Sequence, residues 1–319
     1  VVGSFDRPNL SWEVIGAQGH GEKIRSLVRF LRGRSGATIV YASTRRTVEA
    51  VRRALAARGL PVLSYHAGLP PARRSQVQEV FLSHPQPVVV ATNAFGMGID
   101  RPDVRTVIHY ALSGSLEAYY QEAGRAGRDG DPASCAALHG PRDRGVHDRF
   151  VSLSYPPDRM LRRLHGLLRD RLEPREPARV PLAELTRRLG GGVGEAQVRG
   201  ALGALVRCGA ILADGLEEEP PGKMGVGGKG KGPLLTLLAP SPGLRELATL
   251  RRARKAQVES VQRYARTRGC RRRAILEYFG EEVGEGHCGR CDRCRALSDG
   301  PRWRGWLRGG DLFAGRASQ

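Results

Sequence analysis

Four cysteines stand close to the end of the chain, with the spacing Cys270-x17-Cys288-x2-Cys291-x2-Cys294. The two short steps make a knuckle, and the distant thiol returns to complete a set of four. Four soft thiolates within tetrahedral reach suit zinc, and a closed four-sulfur shell leaves no place for water, so the metal would be structural. Its binding would stabilise a segment too small to have its own core. His287 is a reserve ligand; free thiols or an iron–sulfur cluster are the competing readings. Cys135 and Cys208 lie apart in apolar surroundings.

A second group with chemical content is QEAGRAGRDG, residues 121–130. Arg125 and Arg128 are three apart, so one helical turn would point both the same way, with Gly124 and Gly127 removing bulk beside them. Two forked cations in a glycine setting suit a phosphate chain on which charge develops. An arginine supplied from a neighbouring lobe is a known device of phosphoryl transfer. A surface ion-pair helix is the plain alternative. A third group, ATNAFGMGID at residues 91–100, ends an apolar run and opens into a loop with Gly96 and Gly98. Such a loop offers backbone N–H groups to an anion, and Asp100 is placed to fix a ribose or another loop.

These groups need elements to hold them. Residues 1–150 alternate between two periods. Ile24, Leu27, Val28 and Leu31 share a helical face; residues 37–43 are a short apolar strand; Val48, Val51 and Leu55 mark a helix stopped at Gly59. Strands follow at 61–66, 87–92, 106–110 and 134–140, with helices at 72–82 and through Ala118–Tyr120. Such alternation gives a parallel α/β sheet, whose ligands bind beyond the carboxyl ends of the strands. The loops after Ser43, Thr92 and Tyr110 are therefore the ones to watch. Residues 151–243 read differently. They hold an amphipathic helix around Met160–Leu168 and two short helices on Leu182–Leu189 and Val198–Val206. A hairpin then pairs 210–215 with 233–240 across a low-complexity tip. Two helices and a hairpin with a long tip make a winged-helix-like segment. A long Arg-rich helix from Leu244 then leads to the cysteines.

The chain of 319 residues carries 52 Lys+Arg against 32 Asp+Glu, a net charge of +20. All but five of the basic residues are Arg. A compositional taste for Arg explains the choice over Lys but not the excess, which points to a polyanion, nucleic acid before acidic membrane. With 40% hydrophobic residues the chain is foldable. No apolar run approaches the roughly 18 residues of a transmembrane helix, and VVGSFDRPNL is no signal peptide. The expectation is a cytoplasmic, not secreted, protein associated with the nucleoid if bacterial, and a piece of a longer one, since Val1 is no initiator.

Taken in order, FDRPNL (5–10), IVYASTRRTVE (39–49), YHAGL (65–69), ATNAFGMGID (91–100) and QEAGRAGRDG (121–130) resemble the second RecA-like lobe of a superfamily-two helicase. The closer resemblance is to the RecQ family of DNA helicases, whose zinc-binding subdomain is similar to CRRRAILEYFGE (270–281) followed by CGRCDRC (288–294). The resemblance implies roles. Arg128 would be the arginine finger and Arg125 a second γ-phosphate contact, while Gln121 would couple nucleotide state to the DNA-facing loops. Gly98 and Asp100 would lie beside the ribose, and Thr92 would contact the DNA backbone. Ser43, Arg45, His66 and Gly68 would lie on the DNA-facing side. It implies ATP with Mg²⁺ shared with a first lobe, and DNA in single-stranded, duplex and forked forms as partner. The implied activity is 3′→5′ unwinding, with repair, recombination and replication as settings.

The expected organisation is a second RecA-like lobe at 1–150, a winged-helix-like segment at 151–243, a zinc-binding helical module at 244–298 and a disordered tail at 299–319. Trp303 and Trp306 in that tail could stack on bases. Two departures from the family stand out. The sequence has no GxxxxGK[ST] and no DExH; GGKGKG (227–232) has no Ser or Thr after its Lys. The winged-helix-like segment precedes the cysteines, whereas in the usual RecQ arrangement it follows them. The alternative to a helicase is a non-catalytic DNA-binding adaptor that keeps one lobe and a zinc module.

Overall fold

A computed structural model describes residues 4–32, 36–96, 99–141, 143–216, 232–239, 241–284 and 286–298. Gly98, the residues 217–231 and the tail from 299 onward lie outside the described residues. The chain divides into two compact units, 1–143 with 260–319, and 144–259. The sequence reading set its segment limits at 150 and 243 instead.

The first unit is built on β1 (Leu10–Gly16), β2 (Ala37–Tyr41), β3 (Leu63–Tyr65), β4 (Val88–Ala91), β5 (Val104–His109) and β6 (Ala133–His139). They form one sheet in the order β1-β6-β5-β2-β4-β3, every pair parallel. Parallel strands need crossovers. These are supplied by α1 (His20–Leu31), α2 (Arg45–Ala56), α3 (Pro71–Ser83) and α4 (Leu116–Ala123). All five residues of β2 are buried, as a central strand covered on both faces requires. Alternate residues serve opposite faces. Val40, Val90, Ile108 and Ala136 pack with Leu27 and Val51 of α1 and α2. Ile39, Val89, Val107 and Cys135 pack on the other face with Phe81 of α3 and Tyr119 of α4. Thr44 caps α2 by accepting from the Thr47 N–H at 3.1 Å, and Ser115 caps α4 through the Ala118 N–H at 3.2 Å.

β1 is absent from the strands expected from sequence, although Leu10, Trp12 and Val14 alternate with Ser11 and Glu13 as a half-buried strand requires. It is an edge strand, buried mainly through Leu10 and Trp12.

The end of the chain belongs to this same unit. The last residues of α9 (Leu244–Arg266), then α10 (Arg271–Tyr278) and α11 (Asp292–Ser298), place Val261, Tyr264, Ile275, Cys291 and Cys294 in the core that covers Trp12, Tyr119 and Cys135.

The second unit runs α5 (Asp143–Ser154, its first residue counted with the first unit), α6 (Asp158–Arg169), β7 (Pro177–Arg179), α7 (Leu182–Leu189), α8 (Glu195–Arg207), β8 (Ile211–Asp214) and β9 (Leu234–Leu237), then the first part of α9. Antiparallel β7-β9-β8 with helices α6, α7 and α8 around a leucine core is a winged helix. The expected hairpin forms, Ile211 opposite Leu237 and Asp214 opposite Leu234. The third strand, β7, lies where two prolines suggested only a break; Pro177 is tolerated because β7 is an edge. Gly190, Gly191 and Gly192 all take positive φ between α7 and α8, a turn that would strain residues with a side chain.

Candidate nucleotide face and metal centre

The two arginines of residues 121–130 do not share a helical turn. α4 ends at Ala123, and Gly127 sits at φ 55°. A Cβ there would lie 2.6 Å from both Asn9 Nδ2 and the Asp131 carbonyl oxygen, so only glycine makes this turn. The reversal sends the arginines apart. Arg125 lies across Gly96, where a Cβ would stand 2.5 Å from Nη2, and beside the Tyr41 hydroxyl. Burial raises that hydroxyl well above the ordinary tyrosine value, against the pull of the Arg125 and Arg128 cations. The buried Nε of Arg125 has no partner among the described residues. Arg128 stands at the rim, 37% exposed, with Nη1 2.5 Å from Asp100 Oδ1. Two cations and an unused buried donor fit a phosphate chain. Gln121 is exposed on α4, one turn before Arg125.

The sequence reading counted FDRPNL among its motifs but gave it no task; the structure gives it one. Arg7 donates to the carbonyls of Gly124 (3.2 Å), Ala126 (3.0 Å) and Gly127 (2.8 Å), and Asn9 Nδ2 to those of Gly127 (2.8 Å) and Asp131 (2.9 Å). These carbonyls lie past the helix end, where no intrahelical donor reaches them. Arg105 pairs with Asp129 and closes the turn from the far side. Arg7→Ala should therefore cost about 1.5–3 kcal/mol, the usual worth of charged hydrogen bonds. Native-state hydrogen exchange should quicken first at the Gly127 and Arg128 amides. Unchanged protection there would show that the turn holds itself.

The other expected contacts gather at the carboxyl ends of three neighbouring strands. Ser43 follows β2, Thr92 follows β4, and His66 and Gly68 follow β3. The Ala42 N–H donates to the Ala91 carbonyl at 2.8 Å and the Thr92 N–H to that of Tyr65 at 3.1 Å, so the three loops start in register. Arg45, first residue of α2, lies against Gly68, where a Cβ would be 2.7 Å from Nη1. His66, expected on the DNA-facing side, has its ring tied into the lobe. It is 7% exposed, Nδ1 accepts from the Gly68 N–H at 3.2 Å, and Nε2 faces Glu49 Oε1 at 3.4 Å. Both ring nitrogens are engaged within the lobe, which makes it an anchor for the loop that carries Gly68.

The four cysteines converge. The sulfurs of Cys270, Cys288, Cys291 and Cys294 all lie within 4.8 Å of one another, with Cys288 and Cys294 3.8 Å apart. Tetrahedral zinc with bonds near 2.3 Å sets its sulfurs about 3.8 Å apart, so the residues present fit the ion. Backbone N–H groups of Cys291 and Cys294 donate to Cys288 and Cys291 sulfurs at 3.3 and 3.4 Å, the support a thiolate cluster requires. His287 Nδ1 stands 3.8 Å from the Cys294 sulfur, beside the set and not within it.

Several arginines near the knuckle are used within the protein. Arg271 is 0% exposed, pairs with Asp292 at 2.6 Å, donates to the Tyr264 carbonyl and lies over the Tyr264 ring. Arg272 forms a two-bond pair with Asp6, Arg273 donates to the carbonyls of Gly284 and Gly286, and Arg290 to that of Pro8. Aromatic contacts complete the join. Phe5 stacks on Phe279 with centroids 4.3 Å apart, Tyr120 lies 5.1 Å from Phe279, and Tyr278 donates to Glu117 of α4 at 2.7 Å.

Fold and site together define a helicase C-terminal lobe joined to a four-thiol zinc module. The family described as helicase conserved C-terminal domain matches residues 22–130, and the RecQ zinc-binding family matches residues 244–295. An ATP-dependent DNA helicase RecQ of Pasteurella multocida (strain Pm70) is 40% identical over 168 residues, 51% of this chain and 26% of that protein. The RecQ-like DNA helicase blm-1 of Caenorhabditis elegans is 44% identical over 144 residues, 44% of this chain and 14% of that protein. The two family matches and these relatives support a RecQ-family helicase C-terminal region, and the chain spans about a quarter or less of the length of these relatives. Among the described residues no helix is long and apolar enough to cross a membrane.

Proposed function

We propose that this chain supplies the second RecA-like lobe and the zinc module of an ATP-dependent 3′→5′ DNA helicase. The observation that carries the reading is the turn held by Arg7 and Asn9, with Arg125 laid over Gly96 and Arg128 on the rim beside Asp100. Bound between this lobe and a phosphate-loop lobe, ATP with Mg²⁺ would supply the γ-phosphoryl whose transfer drives motion. Arg128 would meet the charge that develops there, Arg125 would hold the phosphates, and Asp100 would exchange its arginine for the ribose. Gln121, on the helix between the arginines and the sheet, would pass the change to the loops at Ser43, Arg45, Gly68 and Thr92, which step along a single strand. Zinc would keep the C-terminal helices folded against α4. In this division of labour residues 1–150 do the nucleotide work, 244–298 hold the metal and 151–243 make further DNA contacts.

The sequence lacks a phosphate loop and an acidic Mg²⁺ ligand motif. The chain alone should therefore hydrolyse no ATP, with or without DNA. Adding a RecQ first lobe should produce DNA-stimulated turnover. Turnover by the pure chain would overturn the assignment of lobes, and none with the added lobe would favour a binding adaptor.

A further inference from the structure

β5 ends on a residue that packing alone does not explain. His109 is 0% exposed and follows apolar Val107 and Ile108. Its Nδ1 is buried with no partner among the described residues. An apolar side chain would fill the place and orphan nothing, so the ring's other nitrogen carries the reason for a histidine here. Nε2 stands 2.8 Å from Oε2 of Glu122 on α4; a carboxylate accepts, so the ring donates. The same oxygen accepts from Ser113 Oγ. Tyr41 stacks on the imidazole with centroids 5.4 Å apart, and its hydroxyl donates to the Phe95 carbonyl at 2.9 Å.

These contacts have the nucleotide face on one side. Glu122 stands between Gln121 and Arg125 in the chain, and Phe95 precedes Gly96, across which Arg125 lies. On the other side is the segment 110–115 between β5 and α4, which leaves the carboxyl end of its strand as the loops at Ser43 and Thr92 leave theirs. Its start and end are fixed: the Tyr110 N–H donates to the Tyr41 carbonyl at 2.8 Å, and Ser115 caps α4. Its middle is moored to Glu122 by Ser113. An oxygen held by donors from a strand end and from a loop passes a shift of α4 to both, because coupling runs through contiguous contacts of this kind.

We propose that His109 and Glu122 are positioning residues that couple the loop 110–115 to the nucleotide face, so that a DNA strand at this loop and phosphates at Arg125 sense each other through one carboxylate. His109 sets the carboxylate against the sheet, and Ser113 carries its position to the loop. Neither His109 nor Glu122 is a catalytic residue; each acts through its neighbour. The proposal rests on the helicase reading above and adds to it a route beside Gln121.

The test uses the chain assembled with a RecQ first lobe and reads the ratio of ATP turnover with single-stranded DNA to turnover without it. His109→Phe keeps a ring and removes the donor. Ser113→Ala removes the mooring at a half-buried position, where the core is untouched. Each should lower the ratio by about two- to thirtyfold, the range that changes along a contact network command, with KM for ATP nearly unchanged. The double variant should do no more than the larger single one, because both act through Glu122. His109→Gln, which puts an amide donor near the place of Nε2, should restore most of the ratio, a rescue that general loosening of the lobe would not show. In the chain alone, His109→Phe should quicken hydrogen exchange at the Ser113 and Gly114 amides. Unchanged ratios in the folded single variants, additive losses, failure of Gln to rescue, or unchanged exchange at those amides would overturn the coupling. A wild-type assembly that DNA does not stimulate would overturn the helicase reading and the coupling with it; a stimulated wild type with indifferent variants would overturn the coupling alone.

Discussion

Replacing Arg128 with Ala in a helicase assembled with its first lobe should lower kcat for DNA-stimulated ATP hydrolysis by about 10³–10⁵, the worth of an arginine finger. Affinity for ATP should change far less, because a finger acts on charge present only in the transition state. Its resting place supports this order of effects. The pair with Asp100 is a surface pair, 37% and 86% exposed, and such pairs contribute at most about 1 kcal/mol. It holds the guanidinium ready without competing seriously with a phosphate. Lys at 128 should not rescue, since one point charge does not replace a fork. Arg125→Ala should weaken ATP binding and turnover together, since Arg125 is enclosed by Gly96 and Tyr41 and is set for a ground-state hold. Transient kinetics with a nucleotide reporter separates the two. Equal losses of binding and turnover from Arg128→Ala would make it a clamp instead of a finger.

The second large effect is expected at the metal. Cys291→Ser should release one zinc per chain by elemental analysis, and the loss should reach beyond the cysteine segment. From the spacing alone, damage would be confined to residues after about Leu244, with the α/β lobe intact. The structure corrects this. Cys291 and Cys294 share a core with Trp12, Tyr119 and Cys135, and Tyr264 Oη lies 3.5 Å from Tyr119 Oη. Exchange protection should therefore fall at Tyr119 and Tyr120 of α4 as well as through α10 and α11, while β2 and β4, in the middle of the sheet, stay protected. Full protection of α4 in the zinc-free protein would contradict a shared core. Buried Arg271 sharpens the expectation, since a cation at 0% exposure that loses Asp292 as α11 unwinds costs several kcal/mol.

What the sequence disclosed and what it withheld divide along physical lines. The alternating sheet was legible because buried parallel strands such as Ala37–Tyr41 and Val88–Ala91 are continuous apolar runs, a local signal. The four cysteines were legible because knuckle spacing is local too. β1 was overlooked although Leu10-Ser11-Trp12-Glu13-Val14 alternates as a strand does; what no local pattern could give is its pairing with β6, more than a hundred residues away in the chain. The directions of Arg125 and Arg128 were hidden because three-residue spacing implies a shared face only inside a helix, and Gly127 ends that condition. The arginines beside the zinc, Arg271 and Arg272, show the same limit. Composition reports charge, but only tertiary structure reveals that Asp292 and Asp6 already neutralise it.

Residues 4–12 now have a consequence for how this lobe is cut and compared. The helicase family match begins at residue 22, after Phe5, Asp6, Arg7, Asn9 and all of β1. Yet Arg7 and Asn9 clasp the arginine turn, while Asp6 and Phe5 clasp Arg272 and Phe279. One short ribbon is thus a buckle fastened at one end to the nucleotide face and at the other to the metal module. An excised fragment drawn to the family boundary would keep every motif residue from 39 onward and lose the part that holds two of them in place. The inheritable unit in sequence and the mechanical unit in space have different edges here, and the second is the one that must be expressed whole.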